Sequence, residues 1–239
     1  MTTRKRRIGE WLVGVLGVNP ETFWAVWIEL RAAAVRIRGR IDPRWIARRH
    51  ELMRRRGVLA NLGCGPTGRE GWVNLDLFDA PGLTMRVDCR HRLPLADGAC
   101  RGLQVEHYFE HLEIKVERPR FLAECRRVLE ENGILRIVVP DARRFMEAYL
   151  RPGWEPINRL GGFYVPEELC RAKIEVVTHT FRQDGDHFAG YDADYLRIVL
   201  EDAGFRDVAV RAWREGEFPG GCIDIDQHRV YSLYMEARR

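Results

Sequence analysis

The stretch Leu59-Ala-Asn-Leu-Gly-Cys-Gly-Pro-Thr-Gly68 is followed almost at once by Trp72-Val-Asn-Leu-Asp76. Two short apolar runs this close together leave no room for a long helix between them, so both read as buried strands. Glycine at 63 and 65 lets the backbone turn sharply and pass close to a ligand. The second run ends in a carboxylate thirteen residues after Gly63. Such a unit can hold an adenosine, with the turn approaching it and Asp76 accepting two hydrogen bonds from a ribose diol. The glycines also match GxGxxG, but a dinucleotide fold needs a full helix after them and an acidic residue about twenty positions on. Only Pro66 to Gly71 intervene here, so the spacing points to a nucleoside-type cofactor. The competing reading, glycines that serve only a tight turn, does not use Asp76.

The same alternation continues along the chain. Val58–Leu62, Trp72–Leu75, Leu83–Val87, Leu103–Val105 and Ile134–Val139 read as strands, and Phe121, Leu122, Cys125, Val128 and Leu129 as a helical face stopped by Gly133. Asp192 caps a helix through Leu196, Val199 and Leu200, and the last strands are Val208–Trp213 and Val230–Glu236. Alternating strands and helices predict an α/β fold with a mostly parallel sheet. Residues 1–57 fall outside this rhythm. Asn19-Pro20 and Asp42-Pro43 each start a helix, and Gly39 and Gly57 end them, which predicts a helical extension before a domain spanning 58–239. Residues 151–191, rich in Gly, Pro, aromatics and His, read as an inserted lid after strand five.

Charge divides along the same boundary. Residues 1–57 hold 14 Lys/Arg against five Asp/Glu, and the remainder 25 against 30. The basic arm reads either as an anion-facing surface or as a solvated helix face. Its tryptophans need cover, from the body or from a second copy in a homodimer; peripheral membrane contact is the less favoured use. The run Trp11 to Val18 is too short to span a bilayer, and no cleavage site follows it, so a cytoplasmic location is expected. The six cysteines form no CxxC pair, consistent with reduced thiols and no zinc site.

Asn61-Leu-Gly-Cys-Gly65, Gly71-Trp-Val-Asn-Leu-Asp76, Asp88 with Leu93-Pro-Leu95 behind it, and Glu106-His-Tyr-Phe-Glu-His-Leu112 together resemble the class I S-adenosylmethionine-dependent methyltransferases, in particular the type 11 branch. The likeness spans roughly residues 58–141 and resumes at Tyr191–Phe205 and Ser232–Ala237. It implies a Rossmann-like sheet and S-adenosyl-L-methionine as cofactor. On the resemblance, Asn61, Gly63, Gly65, Asp76, Leu77, Asp88, Cys89 and Glu106 are the cofactor-binding positions. Gly63 and Gly65 would approach its methionyl and ribose parts, Asp76 the ribose, Asp88 and Cys89 the adenine. Arg101 departs from the pattern, which usually has an aspartate before strand four.

Methyl transfer relies on positioning, helped by a base where the acceptor is a hydroxyl. His107 after strand four and His187 in the lid are the catalytic candidates, each weighed against a purely packing role; His111 reads as a fold buttress. The lid aromatics Phe163, Tyr164, Phe181, Phe188 and Tyr191, with His179 and Asp186, suggest an acceptor pocket. Asp141 either faces the site or caps the next helix. Asp184, Asp186 and His187 have the residue types of a cation site without diagnostic spacing, and no metal is expected. The expected acceptor is a small polar molecule, a sugar, glycan intermediate or natural product. Nucleic acid is the alternative, supported by the arginine-rich 36–56 segment but lacking the Asn/Asp-Pro-Pro-aromatic motif of amino-group methylases. A non-catalytic scaffold is the second alternative.

Overall fold

The computed structural model describes residues 14–15, 17–161 and 170–239. Arg4–Arg7, Trp11 and the lid residues Phe163 and Tyr164 lie outside them. Helix α1 (Pro20–Ile41) begins where Asn19 Oδ1 accepts a hydrogen bond from Thr22 N at 3.2 Å. It runs through Gly39 instead of stopping there. Asp42 then serves both helices: its backbone N–H closes α1 on Arg38, and its carboxylate accepts from Arg44 N at 2.9 Å to start α2 (Pro43–Arg54). Proline at the first helical position of each lacks only a donor that would have no partner there.

Seven strands form one sheet: β1 (Val58–Leu62), β2 (Val73–Asp76), β3 (Met85–Arg86), β4 (Cys100–Glu106), β5 (Leu129–Pro140), β6 (Arg206–Arg211) and β7 (Ser232–Arg238). Their order is β3-β2-β1-β4-β5-β7-β6. The first five are parallel, whereas β7 runs antiparallel to both β5 and β6. Between β4 and β5 lies α3 (Glu117–Val128), which buries Phe121, Leu122, Cys125 and Val128. After β5 come α4 (Ala142–Leu150), α5 (Glu155–Asn158), α6 (Lys173–Arg182) and α7 (Ala193–Asp202). The sequence places the stop of α3 at Gly133, but the helix ends at Val128 and Leu129 already belongs to β5. Asn132 (φ +64°) turns the chain before Gly133, whose missing side chain leaves room for Glu130 O at 3.0 Å.

The register brings chemistry to one edge. Leu62 pairs with Leu75 and Val105, Glu106 with Val138, and Pro140 with Ser232. Gly63, His107 and Asp141 therefore leave neighbouring strand ends together. Because β7 is reversed, its first residue, Ser232, stands at the same edge. The segment between β6 and β7 is drawn onto the sheet by Arg136 on β5. That guanidinium is fully buried and bonds Asp224 at 2.8 and 2.6 Å and Glu236 at 2.9 Å. The elements after β5 form their own small core from Phe145, Ala148, Ile157, Val176, Val177 and Tyr231.

Candidate active site

The glycine turn after β1 is built as the sequence suggests, with partly different reasons. Gly63 and Gly65 both have left-handed backbone, at φ +65° and +50°. A side chain at Gly63 would meet the Tyr108 ring at 2.3 Å, so this glycine makes room for Tyr108. At Gly65 a Cβ would touch nothing within 4 Å, and the space there is open. Gly68 permits backbone contact with Pro81 O, 2.7 Å from where its Cβ would stand. Asp76 ties the turn to the end of β2: its carboxylate accepts from Gly65 N at 2.8 Å and from Phe78 N at 2.7 Å. Burial and the Asp76 charge push the Cys64 thiol up to about 12, which leaves it inert at neutral pH.

A cavity of about 920 Å³ opens from Gly63–Thr67 across the strand ends. Glu106, His107, Glu110 and His111 form one wall, Val176, His179, Thr180 and His187 the lid, and Ile225, Gln227, His228 and Tyr231 the third side. His107 sits at φ +51°, where the chain leaves β4. Its Nε2 is 2.8 Å from Ser232 Oγ, and its Nδ1 lies 3.2 Å from Glu110 Oε1. These distances resemble a nucleophile–base–acid relay, but Ser232 is fully buried, so the chain anchors the imidazole and presents no nucleophile. The His107 ring also packs on His228, centroids 3.8 Å apart. Glu106 Oε1 accepts from Ile225 N and His228 Nδ1, both at 2.9 Å, and Oε2 from Gln104 at 3.0 Å.

His187 donates from Nδ1 to Thr180 O at 2.7 Å, and His111 from Nδ1 to Asp186 O at 3.0 Å. Among the described residues neither Nε2 has a hydrogen-bond partner. Burial, chiefly, lowers the His187 pKa and favours its neutral form. Glu110 is 1% exposed, and neither carboxylate oxygen receives a hydrogen bond of good geometry. Burial opposes its ionisation, but the contact with His107 and the nearby charges of His107, His111 and His187 hold it down at about 2.

The structure thus brings Gly63, Gly65, Glu106, His107 and His187 to one cavity, and separates others from it. Asn61 holds Thr67 O at 3.4 Å, a tie within the turn. Asp88 does not line this cavity and borders a separate pocket of about 400 Å³ against α1 and α2. It is 4% exposed, and Arg90 (2.9 and 3.1 Å) and Arg36 of α1 occupy its carboxylate. Cys89 is buried in the core, and neither Leu77 nor the largely buried Asp76, which reaches the turn through Gly65 N, lines the cavity. Asp141 caps α4 through Arg143 N at 3.1 Å. Among the lid aromatics, Tyr191 is fully buried in the main core and Phe188 is 52% exposed, so neither walls the cavity; Phe145 and Tyr231 do. His111, expected as a buttress, lines the cavity, whereas Asp186 does not and only bonds His111 through its backbone oxygen. Sequence reasoning missed Glu110, His228 and Tyr231. Glu110 sits inside the quoted Glu-His-Tyr-Phe-Glu-His-Leu motif, whereas nothing in the local pattern flags His228 or Tyr231.

No family model matches the chain, and no curated protein does. Solved structures are similar in fold. A SAM-dependent methyltransferase of Archaeoglobus fulgidus is 18% identical, with 89% of this chain and 94% of that chain covered and a TM-score of 0.45. A SAM-dependent methyltransferase of Aquifex aeolicus is 16% identical, with 84% and 92% covered and a TM-score of 0.42. The Burkholderia thailandensis 1,6-didemethyltoxoflavin-N1-methyltransferase, solved with 1,6-didemethyltoxoflavin and S-adenosylhomocysteine, is 14% identical, with 93% and 91% covered and a TM-score of 0.46. By its own strand order the chain has a Rossmann-like sheet whose seventh strand is reversed between β5 and β6.

Proposed function

We propose that this chain is an S-adenosylmethionine-dependent methyltransferase acting on a small polar acceptor, a sugar, glycan intermediate or natural product. The observation that supports it most is the single cavity joining the Gly63–Thr67 turn to a wall of imidazoles and carboxylates at the carboxyl edge of the parallel strands, where folds of this kind bind ligands. The open space at Gly65 and the carboxylate of Asp76 at the end of β2 fit the cofactor. Gly63, Gly65 and Asp76 would hold it, with Glu106 beside them. When bound, the cofactor supplies an electrophilic methyl group on a sulfonium.

The chain's own residues then position the acceptor and handle its proton. Between the two candidate bases, both nitrogens of His107 have neighbours at 2.8 and 3.2 Å, while Nε2 of His187 has no hydrogen-bond partner among the described residues. His187 takes the proton and His107 orients Glu110. The Val26, Leu30, Ile37 and Ile41 stripe of α1, exposed in the chain alone, is the face through which two copies would pair. Calorimetry with S-adenosylhomocysteine tests the core of this reading. One molecule bound per chain is expected; absence of binding at millimolar ligand overturns it and favours the scaffold alternative.

A further inference from the structure

Glu110, His111 and His187 line the cavity together, and each offers a donor atom within 4.8 Å of the others. The three come from two separate parts of the chain, the 3-10 turn Phe109–His111 after β4 and the segment following α6. Two independent features of the cluster match metal ligands. Both imidazoles spend Nδ1–H on a backbone carbonyl, Asp186 O for His111 and Thr180 O for His187. That fixes the tautomer and leaves the Nε2 lone pair available, the arrangement that metal-bound histidines adopt. The second feature is Glu110, a carboxylate that is 1% exposed and, beyond the 3.2 Å contact of Oε1 with His107, has no well-formed hydrogen bond to either oxygen among the described residues, so buried acceptor capacity is left over. His107 Nδ1, 3.2 Å from Oε1, orients one oxygen and leaves Oε2 to a ligand.

We propose that Glu110, His111 and His187 bind one divalent first-row transition-metal ion. Two imidazoles and one carboxylate suit the series from Mn²⁺ to Zn²⁺, as opposed to the all-oxygen sites of Mg²⁺ and Ca²⁺. Donors this close can share one ion once side-chain rotation brings each to about 2.0–2.2 Å from it. Three protein ligands leave coordination positions open toward the cavity, the hallmark of a working site as against a structural one. An oxygen donor of the acceptor fits there, and a bound ion makes such an oxygen more acidic. In the ion-bound form His187 is a ligand, and the ion takes over the activation assigned above to its free nitrogen. That use rests on the methyl-transfer reading; the binding of the ion does not.

The test uses the full chain, stripped with a chelator, with neither cofactor nor acceptor present. Zn²⁺ is titrated by calorimetry and Co²⁺ by visible absorption. One ion per chain is expected, with cobalt d–d bands of nitrogen and oxygen ligation. His111→Ala and His187→Ala should each weaken binding by about 100-fold or more, and His107→Phe, which removes the contact orienting Glu110 together with the bond to Ser232, by about 10–100-fold. Glu110→Gln keeps the buried shape and should match the histidine variants; circular dichroism confirms that each variant is folded. Absence of stoichiometric binding, undiminished binding in the folded His111 and His187 variants, or a sulfur-to-cobalt charge-transfer band would each overturn the proposal. Loss of the metal site with S-adenosylhomocysteine binding intact would leave the methyltransferase reading standing, and metal binding without it would do the reverse.

Discussion

At the residue scale, the decisive groups are carboxylates whose partners set what they can do. Asp76 holds the glycine turn through Gly65 N and Phe78 N, and the proposed function gives it the ribose. Asp76→Ala removes charge-assisted acceptors and should weaken S-adenosylhomocysteine binding by about 1.5–3 kcal/mol. Unchanged affinity in calorimetry would take Asp76 out of the site. Asp88 has a different task. Burial alone would raise its pKa, but Arg90 and Arg36 more than offset this and hold it below its ordinary value of 3.8. A carboxylate depressed in the folded state adds stability that is fully present above its unfolded value and is lost as pH falls through the folded one. Asp88→Asn should therefore lower stability at neutral pH and flatten its decline below about pH 4. Denaturant melts across pH 7 to 3 check this, and parallel wild-type and variant curves would show that the clamp contributes nothing.

At the element scale, the third wall of the cavity depends on a link between the sheet and a segment with little regular structure. The backbone between β6 and β7 carries Ile225, Gln227 and His228 to the site. It is anchored by the fully buried Arg136–Asp224 pair and by Glu106, which accepts from Ile225 N and His228. Removing one partner of a buried ion pair leaves an uncompensated charge, so Asp224→Ala should cost about 3–5 kcal/mol. Equilibrium unfolding in urea measures it. A loss below 1 kcal/mol would mean that Glu236 alone satisfies Arg136. The lid elements α4 to α6 rest on their own small core. Their packing is thus separate from that of the main sheet, and separately packed segments are the ones that open locally at least cost.

At the scale of the whole molecule, the basic helices are part of the packing. Leu52 of α2 is fully buried in the main core, and Trp45 packs against it. Trp27 of α1 stacks on Phe78 at 6.0 Å, Arg31 lies over the same ring, and Arg36 and Glu29 reach Asp88 and Arg90. Among the described residues no helix is long and apolar enough to cross a membrane. A chain beginning at Val58 should lose stability and aggregate, because it uncovers the surface under α1 and α2. Thermal melts and light scattering decide the matter. A shortened chain that melts with the full one and stays monomeric would make the helices an independent appendage, and anionic or membrane surfaces would then be the better account of their charge.

What the sequence determined by itself is local. Apolar runs, proline and asparagine at helix starts, and the short spacing from Gly63 to Asp76 specify strands, caps and the turn, because each depends on neighbours a few residues away. The sheet and its glycine edge were legible for that reason, and so were His107 and His187 as cavity residues. What only the tertiary structure decided is which distant groups meet. Asp88 faces α1 because Arg36, 52 positions away, reaches it. Gly63 is needed for the ring of Tyr108. Glu110 and His111 face the cavity because the backbone turns at His107. His228 and Tyr231 join them because β7 runs antiparallel and returns its first residue to the edge where the parallel strands end. A side chain's partner across the fold is set by register and strand direction, and one chain's local pattern carries neither.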